Sequence, residues 1–233
     1  MPISCKIDLW SWSLDEPPKT GGIPSATLSK DELARANRFL FERDRQRFIC
    51  GRHKLREILA TYVGSDPEAL RFKYTASDKP EIDPQWQSNA PYFNLSHSGP
   101  LAMLAVSADT ELGVDIEQLR PIETNVAKQF FSAHEQDALV HLEGEDWING
   151  FYRLWTLKEA FLKATGEGLL QELNSFDIAF SADQPAHLLR LEGDSFAPDH
   201  WTLHSFSPAP GFVGALAVPI GNAELKLDIR QQA

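Results

Sequence analysis

Leu154 to Gly168 reads LWTLKEAFLKATGEG, and no other stretch limits the possible folds as tightly. At about 100° per residue, Leu154, Trp155, Leu157, Ala160, Phe161, Leu162 and Ala164 cover one broad face, and Gly166 stands where a left-handed C-terminal cap belongs. The spacing predicts a buried amphipathic helix. Glu159 and Lys163 are four apart on the polar side, either as a solvated ion pair worth about 0.2–0.5 kcal/mol or as part of a site. Lys158 falls inside the apolar arc, so its ammonium either snorkels to the surface along its stem or reaches an anion at the helix edge.

Such a helix needs a core to bury in, and 233 residues with 42% hydrophobic content supply one large domain or two packed halves. No apolar run approaches the roughly 18 residues that span a bilayer, so no membrane insertion is expected. The N-terminus MPISCKIDLW lacks a basic segment followed by an apolar stretch, and no signal peptide is expected. Two cysteines, Cys5 and Cys50, suit a reducing cytoplasm and offer no zinc spacing. The net charge of -11 conceals a local inversion: between Arg35 and Arg56, eight basic residues face Glu42 and Asp44, a balance of +6. One basic stretch on an acidic chain argues against a general nucleic-acid binder, which needs an extended cationic surface. It suits a small phosphorylated ligand or a solvated helix with surplus arginines.

Ile3, Cys5, Ile7 and Leu9 alternate with polar neighbours, the period of a half-buried strand. Prolines and glycines from Pro17 to Pro24 mark a loop. Ser29 with Glu32 is a capping box opening a helix expected to run past Arg38, and a second helix is expected over Asp44 to Tyr62. Phe72 to Tyr74 reads as a short strand and Ser77-Asp78-Lys79-Pro80 as a turn. Tyr92 to Leu95 reads as a strand running into a turn at Ser96-His97-Ser98-Gly99, with Leu101 to Ser107 as its antiparallel partner. A turn rich in hydroxyls either holds phosphate, with His97 as an added donor, or hydrogen-bonds only itself.

Leu112 to Glu117 follows as a strand with its faces sorted: Leu112, Val114 and Ile116 to one side, Asp115 and Glu117 to the other. Two carboxylates attached about 7 Å apart repel by roughly 2 kcal/mol at an effective dielectric near 20. They are either a solvated strand end or ligands of a hard divalent cation such as Mg²⁺. Helices are expected over Val126–Phe131 and Ala133–Leu142, the latter opened by a capping box that gives Glu135 a structural task. An acidic turn precedes a long helix starting at Trp147. Strands are expected at Phe176–Phe180, Ala186–Leu191, Trp201–Phe206 and Phe212–Val218. No fixed-period repeat is visible.

Gly113-Val114-Asp115-Ile116-Glu117 and Trp155-Thr156-Leu157-Lys158-Glu159-Ala160-Phe161-Leu162-Lys163 lie some forty residues apart, after Gly51-Arg52, Lys79-Pro80 and Phe93-Asn94-Leu95-Ser96-His97-Ser98. With these five motifs in order, the chain resembles the 4'-phosphopantetheinyl transferases of the monomeric, surfactin-synthetase-activating type, over about residues 35 to 217. The resemblance implies an α+β fold of two similar halves, 1–110 and 111–233, related by a pseudo-two-fold axis, each a small antiparallel sheet with packed helices. The ligand would lie at their interface, with the join near Asp109 to Arg120. It further implies that Asp115, Glu117 and Glu159 hold Mg²⁺, that Lys79, Ser96, His97, Lys158 and Lys163 face the pyrophosphate of coenzyme A, and that Arg35, Arg47 and Arg52 lie near its adenosine 3'-phosphate. The lysine that the family's prototype carries three residues before Arg35 is Glu32 here.

The implied reaction transfers 4'-phosphopantetheine from coenzyme A to a serine of an apo carrier protein, acyl or peptidyl, and releases 3',5'-ADP. Glu159, Lys163 and Glu135 are the catalytic candidates, with Glu159 or Glu135 as the base. A cytoplasmic monomer with no nucleic-acid or membrane partner is expected. Two rivals from other classes are a non-catalytic coenzyme A binding module and a Mg²⁺-dependent pyrophosphate hydrolase; a third carboxylate on the helix argues against mere binding.

Overall fold

The computed structural model describes residues 4–16, 24–76, 78–85, 87, 89–166, 172–180 and 184–231. Residues 17–23 of the expected loop, Ser77 of the expected turn and Gly168 lie outside them. The N-terminal alternation becomes strand β1 (Ser4–Ser13), burying Cys5, Ile7 and Leu9. Ser29 and Glu32 form the expected capping box of helix α1 (Lys30–Ala36), but it stops at Ala36, short of Arg38, with Asn37 as its C-cap. Asn favours such ends because its side chain competes for backbone hydrogen bonds. Helix α2 (Glu42–Val63) ends on Gly64 at φ 68°, and strands β2 (Phe72–Tyr74) and β3 (Pro80–Ile82) pair antiparallel. Strands β4 (Tyr92–Ser98) and β5 (Leu101–Ser107) complete the first half.

Strand β6 (Gly113–Gln118) opens the second half, followed by helices α3 (Asn125–Phe130), α4 (Ala133–Leu139) and α5 (Gly144–Thr165). The expected acidic turn is the first turn of α5, where Glu145 and Asp146 complement the positive end of the helix dipole. Strands β7 (Phe176–Ala179), β8 (His187–Leu191), β9 (Thr202–Phe206) and β10 (Phe212–Val218) follow, with a short helix, α6 (Ala197–His200), before β9.

The halves repeat one plan. Strand order is β1-β5-β4 in the first and β6-β10-β9 in the second. Each has a capping-box helix, then a 22-residue helix closed by a left-handed glycine, then a two-stranded ribbon. Even the buried charges recur. Glu32 takes bonds from Arg52 Nε at 2.6 Å and Arg56 Nε at 2.8 Å, while Glu135 takes Lys158 Nζ at 2.5 Å. Arg56 and Lys158 each stand fourteen residues into their helix (42 to 56, 144 to 158) and lie over a ring, Phe72 at 5.1 Å and Phe176 at 4.1 Å. The repeat escapes the sequence because its identical equivalents, such as Glu32 and Glu135 or Gly64 and Gly166, are few and scattered.

One strand breaks the plan. Strand β11 (Glu224–Gln231) pairs parallel to β1, from Ser4 opposite Glu224 to Ser11 opposite Gln231. The expected sheets were antiparallel throughout, and the expected division at residue 110 put this strand with the other half. Leu225, Leu227 and Ile229 alternate in the sequence and are the signal for it. One apolar cluster packs α2 on β1, β4 and β5; a second surrounds α5; a third joins Ile7, Leu9 and Met103 of the first half to Val114, Ile116 and Leu216 of the second. Among the described residues, no helix is long and apolar enough to cross a membrane.

Candidate functional site

The site begins where β4 meets β6. Every second residue of β4 turns a polar side chain to a backbone N–H of β6: Val114 N donates to Asn94 Oδ1 at 2.9 Å, Ile116 N to Ser96 Oγ at 3.3 Å, and Gln118 N to Ser98 Oγ at 3.1 Å. The hydroxyls pass their own protons on, Ser96 to Asp115 Oδ1 at 2.8 Å and Ser98 to Glu117 Oε2 at 2.6 Å. The zipper joins the halves and orients both carboxylates. Ser96 and His97 thus sit in a strand, not in the turn expected there, and the Ser96 hydroxyl is committed to Asp115 and unable to donate to a phosphate.

Helix α5 crosses β6 closely because Gly113 has no side chain; a Cβ there would collide with the Ala160 carbonyl oxygen and the Ala164 nitrogen. That approach brings Glu159 and Lys163 to the strand. Lys163 Nζ contacts Asp115 Oδ1 at 2.6 Å and Ser96 Oγ at 3.2 Å. Ser96, His97, Asp115, Glu117, Trp155, Glu159 and Lys163, with Leu95, line a cavity of about 310 Å³. Burial, followed by nearby carboxylates, pushes the Glu159 carboxyl above its usual range against the pull of Lys163; burial likewise raises Glu117, against its bond from Ser98 and with help from Asp115. Desolvation and the Lys163 ammonium hold His97 below its ordinary value, which favours the neutral imidazole.

A second cavity of about 480 Å³ shares Leu95 and His97 with the first and is lined by Arg35, Arg47, Phe48, Arg52, Tyr74 and Asp78 among others. Its arginines are all engaged. Arg47 makes two bonds to Asp15, at 2.6 and 2.8 Å; Arg35 makes one to Asp78 at 3.0 Å; Arg52 is buried against Glu32 and reaches Tyr74 Oη at 3.3 Å. The apolar walls, Phe48 and Trp155, are residues the periodicity assigns to the core, and only tertiary placement marks them as lining.

Three expected site residues lie elsewhere. Lys158 is fully buried, with its ammonium bonded to Glu135 and to the Phe176 carbonyl oxygen at 2.7 Å. The anion at the helix edge is therefore protein, and Lys158 does not face the cleft. Glu135 is also fully buried; beyond Lys158 it accepts from Ser132 N at 3.0 Å and Ile178 N at 2.9 Å, so it has no path to a substrate proton. Lys79 Nζ donates to the Lys163 carbonyl oxygen at 2.8 Å and lines a separate cleft beside Ala164 and Thr165. The carbonyl end of a helix attracts a cation, and Lys79 satisfies it.

The donor set beside Lys163 is made of hard carboxylate oxygens. Asp115 Oδ2 is buried and lacks a hydrogen-bond partner, and hard carboxylate oxygens suit Mg²⁺. Among the described residues no three potential ligands close on one point; Lys163 supplies the positive charge at Asp115. Asp115 Oδ2 is thus a free hard donor of the kind a cation takes, and Glu117 and Glu159 line the same cavity.

Two family models match the chain. That of the 4'-phosphopantetheinyl transferase superfamily covers residues 111–217, and that of the N-terminal region of 4'-phosphopantetheinyl transferases covers residues 22–109. The 4'-phosphopantetheinyl transferase HetI of Nostoc sp. is 40% identical over 218 residues, 93% of this chain and 89% of that protein. The enzyme psf-1 of Bacillus pumilus is 36% identical over 78% of this chain and 76% of its own. Sfp of Bacillus subtilis is 31% identical over 67% of this chain and 68% of its own.

Proposed function

This chain belongs to the 4'-phosphopantetheinyl transferase superfamily, and from that premise we propose which of its residues transfer phosphopantetheine from coenzyme A to carrier proteins. Asp115, Glu117 and Glu159 hold Mg²⁺. Bound there, the ion supplies positive charge against the pyrophosphate. Arg35, Arg47 and Arg52 serve the adenosine 3'-phosphate in the larger cavity. His97, shared by both cavities, donates to the phosphates as a neutral imidazole.

The serine hydroxyl of the carrier attacks the β-phosphorus, a new oxygen–phosphorus bond forms, and the bridging bond to the α-phosphate breaks with its electrons leaving on 3',5'-ADP. Glu159, which lines the cavity with Asp115 and Glu117, takes the serine proton, directly or through water. Lys163 steadies the charge gathering on the leaving group, the kind of fixed electrostatic help that dominates phosphoryl transfer. The observation that carries this reading is that the carboxylate cavity and the arginine cavity share Leu95 and His97 as wall residues.

The same proposal makes the protein a monomer, because one chain supplies both walls of the cleft, and a cytoplasmic one, in keeping with two free, buried cysteines. Intact-mass analysis of a panel of apo carriers incubated with the protein, coenzyme A and Mg²⁺ tests it. A phosphopantetheine adduct on the carrier is expected; cleavage of coenzyme A with every carrier unmodified points to a hydrolase instead.

A further inference from the structure

We propose that Asp78 sets how strongly the cleft prefers a 3'-phosphorylated adenosine, by holding Arg35 until the phosphate displaces it. The inference rests on the 3'-phosphate reading given above. Asp78 is the only non-glycine among the described residues in the left-handed region, at φ 60°. Aspartate tolerates that backbone in turns, and here the Asp78 N–H closes one on the Thr75 carbonyl oxygen at 3.0 Å, which fixes where its carboxylate stands. Its carboxylate accepts one bond from Arg35 Nη1, and both residues line the larger cavity, so the pair ties α1 to the segment leading into β3 across two of its walls.

The three arginines of that cavity differ in how readily they can be released. Arg52 is buried with Glu32 and Tyr74, and Arg47 is held by two bonds to Asp15 with its side chain 21% exposed. Arg35 has a single bond to a carboxylate, with side chains 46% and 66% exposed. An exposed pair of that kind contributes little, whereas a phosphate offers shorter, doubly charged, bidentate bonds to a guanidinium. Phe48, whose ring lies 5.6 Å from the Arg35 guanidinium carbon, lines the same cavity beside it. Asp78 therefore competes with the ligand's 3'-phosphate for Arg35, and a ligand lacking that phosphate leaves the pair intact.

The test is calorimetric titration of coenzyme A and of 3'-dephospho-coenzyme A into wild type, Asp78→Asn, Asp78→Gly and Arg35→Ala, with the Asp78 change also made in the Arg35→Ala background. Asp78→Gly suits the backbone and guards against a folding defect. Both Asp78 variants should bind coenzyme A about two- to fivefold more tightly and 3'-dephospho-coenzyme A as wild type does, with the gain absent once Arg35 is gone. Equal changes for both ligands, or weaker coenzyme A binding, would overturn the proposal. Wild-type discrimination that Arg35→Ala lowers and Asp78→Asn leaves alone removes the proposal while keeping the 3'-phosphate reading. A wild type binding both ligands alike removes both.

Discussion

Lys158 and Lys163 share a helix and a charge, yet their surroundings assign them opposite tasks. Lys158 is buried with Glu135, and its removal leaves a carboxylate without a counter-ion, a loss that costs about 3–5 kcal/mol. Lys163 is 29% exposed on its side chain and stands at Asp115 in the cleft. Lys158→Met is expected to lower the melting temperature by roughly 10 °C while the protein that remains folded keeps its KM for coenzyme A. Lys163→Met also strips the ammonium from buried Asp115, but at a partly exposed position, so it should lower the melting temperature less than Lys158→Met does while reducing turnover by about 10²-fold or more. Thermal melts beside initial rates check both. A Lys158→Met protein of normal stability but no turnover would return that lysine to the chemistry.

Among the elements, α1 and α2 are locked together by one glutamate. Burial alone would raise the Glu32 carboxyl, but Arg52, the Ser29 N–H and Arg56 outweigh it and hold it below the usual carboxylate range. A depressed folded pKa contributes stability above the unfolded value, about 4.3, and loses it as the pH falls through the folded value. Glu32→Gln should therefore destabilise the protein by about 3–5 kcal/mol at pH 7, and the gap to wild type should narrow below about pH 4. Urea melts at a series of pH values measure it; a gap constant from pH 7 to pH 3 contradicts the assignment. The cap itself was readable from Ser29 and Glu32 because it is local. That Glu32 also takes two arginines from another helix was not, since those partners stand 20 and 24 residues away.

At the scale of the molecule, β11 covers the outer edge of β1, and the cluster of Ile7, Leu9, Val114 and Ile116 runs through both halves. Ending the chain before Glu224 should bare that edge, lower the melting temperature and keep a single transition, because the shared core couples the halves. Far-UV circular dichroism and tryptophan fluorescence should trace coincident curves. Two separate transitions, or an unchanged melting temperature, would speak against a joint core.

Whatever depends on residues within a turn or two was decided by the sequence alone: the amphipathic α5 with Gly166 as its cap, the two capping boxes, and a β6 with Asp115 and Glu117 on one face. Periodicity and capping are properties of neighbours, and neighbours are what a sequence displays. Tertiary structure alone decided how each polar group is satisfied. It spent Lys158 on Glu135, Lys79 on the end of α5 and the Ser96 hydroxyl on Asp115, while bringing Glu159 and Lys163 to the cleft. Two lysines on one helix look alike in sequence. Burial separates them, because a charge removed from water must find a partner inside the protein, and which partner lies within reach is set by how distant segments pack.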